Sequence, residues 1–148
     1  MSVNPELVGR HFPPTAPYLV GREKIREFAR AVFADAPQHL DPDAARALGY
    51  VDVVAPPTFA MVIQDLTLQQ LLAEPDSGIA LERTVHAEQR FHYTRPIVAG
   101  DELRAQLEIT NVRPFGAGAM VTSQAQITDT EGAHVVTATS VLLIGGES

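Results

Sequence analysis

The chain has 148 residues, a formal net charge of −7 from 11 basic and 18 acidic side chains, and no cysteine. These counts exclude a basic footprint for nucleic acid, a disulfide scaffold, a Cys-ligated zinc site and a thiol nucleophile. The 45 % hydrophobic fraction supplies one sizeable core, so residues 1–148 read as a single globular domain. No run of about 18 apolar residues is present, so no membrane span is expected. The opening Met1-Ser2-Val3-Asn4-Pro5 lacks the basic and apolar regions of a secretory signal, and the expected compartment is the cytoplasm.

Val8 to Tyr18 carries Pro13, Pro14 and Pro17 and reads as an extended segment that can cover a sheet edge, since proline cannot serve a central ladder. Behind Gly21, the residues Ile25, Phe28, Ala29, Val32 and Phe33 recur at helical spacing, with Arg22, Glu23, Arg26, Glu27 and Arg30 on the opposite face. That helix is expected to end near Ala34, because Pro37 disfavours helix at Ala36. Asp41 as N-cap and Pro42 in the first turn open a second, short helix that Gly49 stops. Pro56-Pro57-Thr58 then begins a third, Phe59 to Leu72, apolar on most sides and therefore expected to lie buried in the middle of the domain.

The period changes to two in the second half. Val85–Tyr93, Leu103–Thr110, Ala119–Thr128 and His134–Ile144 read as strands, the last three as an antiparallel meander, with Pro114 to Gly118 as a loop. One long apolar helix needs a surface to wrap it. A curved antiparallel sheet around a central helix meets that need, an α+β solution.

The runs Gly21-Arg-Glu-Lys-Ile-Arg-Glu-Phe-Ala29, Asp41-Pro-Asp-Ala-Ala45, Gly49-Tyr50, Val54-Ala-Pro-Pro-Thr-Phe59, His86-Ala-Glu-Gln-Arg-Phe-His-Tyr93, Arg95-Pro96 and Ala99-Gly-Asp101 stand in the order found in MaoC-like dehydratases of the hotdog fold. The chain resembles that family over nearly its whole length, most closely the N-terminal-type members that include actinobacterial (3R)-hydroxyacyl-ACP dehydratase subunits. The resemblance implies a single hotdog domain, with Phe59 to Leu72 as the helix wrapped by the sheet, and pairing of two such domains.

Active members carry a segment Asp-x-Asn-Pro-x-His, in which an Asp and a His divide the acid and base work of removing an α-proton and protonating a leaving β-hydroxyl. The equivalent stretch here is Ala34-Asp35-Ala36-Pro37-Gln38-His39. Pro37 and His39 keep the spacing, alanine replaces both the Asp and the Asn, and Asp35 is displaced by one residue. Asp35 and His39 are the catalytic candidates, and the alternative is a segment that has lost its acid. The resemblance also implies an oxyanion site at the start of the third helix. Proline has no N–H, so only Thr58 and Phe59 remain to donate there. Tyr50, Met61 and Phe115 are candidates for lining an acyl tunnel. His86, Glu88 and His92 share one strand face at period two and form a ligand triplet in principle. The resemblance places that strand in the sheet without a metal, so neither metal nor cofactor is expected.

Three functions follow. The first is an acyl-binding subunit of an R-specific 3-hydroxyacyl-thioester dehydratase or enoyl hydratase in fatty-acid metabolism, dimerised with a second hotdog subunit that supplies the intact segment. The second is a self-sufficient homodimeric (R)-specific enoyl hydratase or dehydratase using Asp35 and His39. The third is a non-enzymatic acyl-ligand-binding hotdog protein. The expected ligand is acyl-CoA or acyl-ACP, and an acidic carrier protein would have to dock on local arginines such as Arg90, Arg95 or Arg104.

Overall fold

The computed structural model describes residues 2–146. Along it follow β1 (Tyr18–Leu19), α1 (Arg22–Ala31), α2 (Pro42–Ala47), α3 (Ala60–Ala73), β2 (Thr84–Tyr93), β3 (Glu102–Phe115), β4 (Gly118–Thr128) and β5 (His134–Ile144), with 3-10 turns at Pro5–Leu7, Pro37–His39, Pro57–Phe59 and Leu81–Arg83. The strands form one sheet in the order β1-β3-β4-β5-β2, and every strand pair is antiparallel. The expected meander is β3-β4-β5, while β2 joins the far side of β5. Leu103, Ala105, Leu107 and Ile109 of β3, Val121, Ala125 and Ile127 of β4, and Val136, Ala138 and Leu142 of β5 are buried on the inner face, where α3 packs. This is the α+β hotdog arrangement.

The helix is not enclosed on all sides. Its buried residues are Ala60, Ile63, Gln64, Thr67 and Leu71, so polar side chains take two of the five covered positions. Met61, Val62, Leu66, Leu68 and Leu72 are only half-buried within one protomer. The apolar run that suggested complete burial is thus divided between the sheet and an uncovered outer flank.

Each sheet edge is treated differently. The proline-rich N-terminal segment lies along β3: Thr15 N–H donates to Ala105 O at 2.8 Å, Ala105 N–H to Thr15 Oγ1 at 3.0 Å, and Gln106 Nε2 to Phe12 O at 3.1 Å. This covers the edge beyond the two-residue β1. On the other edge, no described strand pairs with the outer side of β2. β3 runs on through Pro114 to Phe115 rather than stopping at Thr110, and Pro114 faces Ala119 of β4. Proline is tolerated because β1 pairs only with Glu102 and Leu103, leaving the other side of β3 unladdered there.

α1 and α2 end in the same motif on different residues. In α2, Gly49 N–H donates to Arg46 O and Tyr50 N–H to Ala45 O, with Gly49 at φ 95°. In α1, Phe33 N–H donates to Arg30 O and Ala34 N–H to Ala29 O, with Phe33 at φ 59°. A bulky side chain in the left-handed region is strained, and this one is 89 % exposed, so it gains nothing from packing. Phe33→Gly is expected to raise the unfolding free energy by about 0.5–1 kcal/mol, the left-handed penalty less the entropy that glycine adds to the unfolded chain. A lower urea midpoint would contradict this.

Candidate functional site

The segment after α1 is held against the strand-like run 52–55 by a short series of bonds. Arg22 Nε and Nη2 clasp Asp52 at 2.9 and 2.8 Å, and the same carboxylate accepts Val53 N–H at 2.7 Å. Val54 N–H donates to Gln38 O at 3.0 Å, and Ala55 N–H to Ile97 O at 2.8 Å. His39 then closes the set, its Nδ1 lying 2.7 Å from Val54 O. A carbonyl oxygen only accepts, so Nδ1 carries the proton and Nε2 of the neutral ring keeps its lone pair.

Asp35 is not part of this set. It is exposed, and no hydrogen bond or ion pair joins it to His39 among the described residues. Positions 34 and 36 are half-buried while 35 is exposed, the alternation of an extended run ahead of the Pro37–His39 turn. A shift of one residue therefore puts the carboxylate on the solvent side of the segment.

The start of α3 offers little to an oxyanion. Pro56 and Pro57 carry no N–H. Phe59 N–H is spent on Pro56 O at 2.9 Å, and its side chain is wholly buried. Thr58 is exposed and makes no side-chain cap, so of the two expected donors Thr58 alone remains. Beside this turn, Tyr93 Oη donates to Pro57 O, and burial pushes the Tyr93 phenol up to about 12. A cavity of about 360 Å³ opens here, lined by Tyr50, Ala55, Pro57, Tyr93, Thr94 and Arg95. Arg95 is engaged, at 2.8 and 3.1 Å from Asp101 and 3.7 Å from Asp129. A cavity of similar size, about 370 Å³, sits on the outer sheet face beside Glu102, Arg104 and Asp129. It does not reach the start of α3.

The three tunnel candidates do not meet in one protomer. Tyr50 lines the cavity at the helix start, Met61 borders a separate small cavity under α3, and Phe115 is half exposed at the tip of the β3–β4 hairpin. The supposed ligand triplet is also divided. A bulge between His86 and Glu88 shifts the phase of β2, so His86 stands opposite inward-facing Leu142 while Glu88 faces outward-facing Val141. Arg90 pairs with Glu88 at 3.0 Å.

The Arg22–Asp52 clasp was not read from the sequence, and it holds the Asp52 carboxyl at about 2, against a usual 3.8. The clasp stabilises the fold above pH 4 and is lost as pH falls towards 2, contributing at most about 2 kcal/mol and less when screened by salt. Asp52→Asn is expected to lower urea stability at pH 7 by about 1 kcal/mol, with the difference vanishing near pH 2. A gap independent of pH would contradict this cause.

Comparison with known proteins places this geometry in company. A family model described as "FAS1-like, dehydratase domain region" matches residues 6–138. A UPF0336 protein of Clavibacter michiganensis is 62 % identical over 147 residues, 99 % of each chain. Among solved structures, the HadBC (3R-hydroxyacyl-ACP dehydratase) complex of Mycobacterium tuberculosis superposes at a TM-score of 0.79 with 36 % identity, covering 90 % of this chain and 92 % of that one. A MaoC-like dehydratase superposes at 0.83 with 37 % identity, over 94 % of this chain and 42 % of the longer one.

Proposed function

The chain belongs to the family of FAS1-like dehydratase regions, and from that premise we propose that it is the acyl-binding subunit of an R-specific 3-hydroxyacyl-thioester dehydratase, working with a second hotdog subunit that supplies the catalytic carboxylate. The observation that carries this reading is the half-built acid/base pair: His39 is oriented by its Nδ1 bond to Val54 O, while Asp35 stands exposed and unconnected to it. The missing main-chain donors at Pro56 and Pro57 point the same way. The cavity lined by Tyr50, Ala55, Pro57 and Tyr93 receives the ligand, with Thr58 next to Pro57 in the chain and His39 bonded to Val54, the neighbour of Ala55.

The free outer side of β2 supports pairing of two such domains. An unpaired edge presents its main-chain donors and acceptors to a second strand. Half-buried Met61 and Leu68 of α3 lie beside it, and a partner seated there would cover them. The substrate is an acyl-CoA or acyl-ACP, and its use by a carrier-dependent enzyme goes with a cytoplasmic location.

The native assembly isolated from the host tests the proposal. It is expected to contain a second hotdog chain and to dehydrate (R)-3-hydroxyacyl thioesters. A homodimer of this chain alone, active and silenced by Asp35→Ala, would favour the self-sufficient reading instead.

A further inference from the structure

The turn before α3 lacks main-chain donors at Pro56 and Pro57, yet a side chain from the sheet brings a donor to the same place. Tyr93 ends β2 opposite buried Val136 of β5. Its ring packs against the main apolar cluster, as do Val62 and Phe91, and its centroid lies 6.2 Å from that of Phe91. The hydroxyl at the end of this held ring donates to Pro57 O. Both residues of that bond line the cavity of about 360 Å³.

The other side-chain donors on the cavity wall are engaged or unplaced. Arg95 holds Asp101 and Asp129. Thr94 Oγ1 lies 2.6 Å from His134 Nδ1. Tyr50 has no bond that fixes its hydroxyl among the described residues. Tyr93 differs in two respects. Burial pushes its phenol up to about 12, against a smaller downward pull from the Ala60 N–H, so at neutral pH the oxygen keeps its hydrogen. Its present acceptor is also replaceable. Pro57 is exposed, so water can serve the Pro57 carbonyl when the phenol hydrogen turns elsewhere. Exchanging one carbonyl acceptor for another leaves no polar group unpaired.

We propose that the Tyr93 hydroxyl holds the carbonyl of the bound thioester, turning its hydrogen from Pro57 O to the ligand's carbonyl oxygen. A side chain thereby does what the main chain cannot do at Pro56 and Pro57. The inference rests on the acyl-thioester reading above. It makes Tyr93 a recognition residue for the carbonyl next to sulfur, whatever acyl chain follows. A ligand without that oxygen leaves the phenol on Pro57 O and gains nothing from it.

The test compares octanoyl-CoA with S-octyl-CoA, the thioether that carries two hydrogens in place of the carbonyl oxygen. Each is titrated into the native assembly carrying either wild-type chain or Tyr93→Phe, which keeps the ring and its place beside Phe91. Wild type is expected to bind octanoyl-CoA at least about tenfold more tightly than the thioether, and the variant to bring the two within about threefold. The infrared carbonyl band of bound octanoyl-CoA, isotope-labelled at that carbon, is the second readout. It is expected to lie below the band of the free thioester with wild type, and to move back towards it with the variant. No preference for the thioester by wild type overturns the proposal without any variant. So does an unchanged preference in the folded variant, or a preference that falls while the carbonyl band stays in place. These results leave the thioester reading intact, whereas failure of both ligands to bind overturns both.

Discussion

Replacing Phe59 by alanine is expected to remove about 4 kcal/mol of stability, a drop of roughly 10–15 °C in Tm. Phe59 is wholly buried and forms the last residue of the turn that leads into α3. Its ring meets Phe28 of α1 edge-on, with centroids 5.4 Å apart and planes at 83°. That geometry adds to the area burial, because the positive edge of one ring faces the negative face of the other. Loss of the ring would leave a cavity between α1 and α3, walled by Ile25 and Ile63 of the same apolar cluster. These walls belong to the sheet-and-helix scaffold, so little collapse is available to them. Urea unfolding measures the effect. A loss below about 1.5 kcal/mol would mean that the start of α3 is far more plastic than its packing implies.

The second large effect is a gain. Ala34→Asp together with Ala36→Asn rebuilds the Asp-x-Asn-Pro-x-His segment and is expected to raise enoyl-thioester hydration by the isolated chain at least about 100-fold, the range of a positioned acid/base group. The reason lies in the alternation of the segment. Residues 34 and 36 are half-buried, as is His39 beyond the intervening turn, and residue 35 is exposed. Ala34 N–H is fixed to Ala29 O at 2.8 Å by the end of α1, so a side chain placed there starts from an anchored backbone. The control is Asp35→Ala, which is expected to leave turnover of the native assembly within about twofold, as for an exposed side chain with no partner in the site. A folded double variant with no gain would mean that the lost carboxylate is not what limits this chain.

The order and type of the elements were legible because each is written by a local rule. Ile25 to Phe33 carries a helical stripe, Asp41-Pro42 caps α2 with a 3.0 Å bond to Asp43 N–H, and Leu103 to Ile109, β4 and the second half of β5 alternate inward and outward. What was not legible depended on neighbours distant in sequence. The bulge in β2 is set by its pairing with β5 and left no mark in the alternation of Val85 to Tyr93. Phe59 to Leu72 read as apolar on most sides, yet the polar Gln64 and Thr67 within it are among the residues turned inward, where Gln64 bonds Gln89 of β2. Phe33 read as the end of an apolar stripe and proved to be 89 % exposed. At the site, the family segment was visible around His39. Its dependence on Val54 O and on the Arg22–Asp52 clasp was not, since 15 and 30 residues separate those partners.

The most direct measurement is hydration of trans-2-enoyl-CoA by the purified, folded chain alone, beside the native assembly. The expected result is no turnover above background by the chain alone, and turnover at least about 100-fold higher in the assembly. Comparable turnover by the chain alone, abolished by His39→Ala, would contradict the need for a partner's carboxylate and would make Asp35 and His39 a working pair.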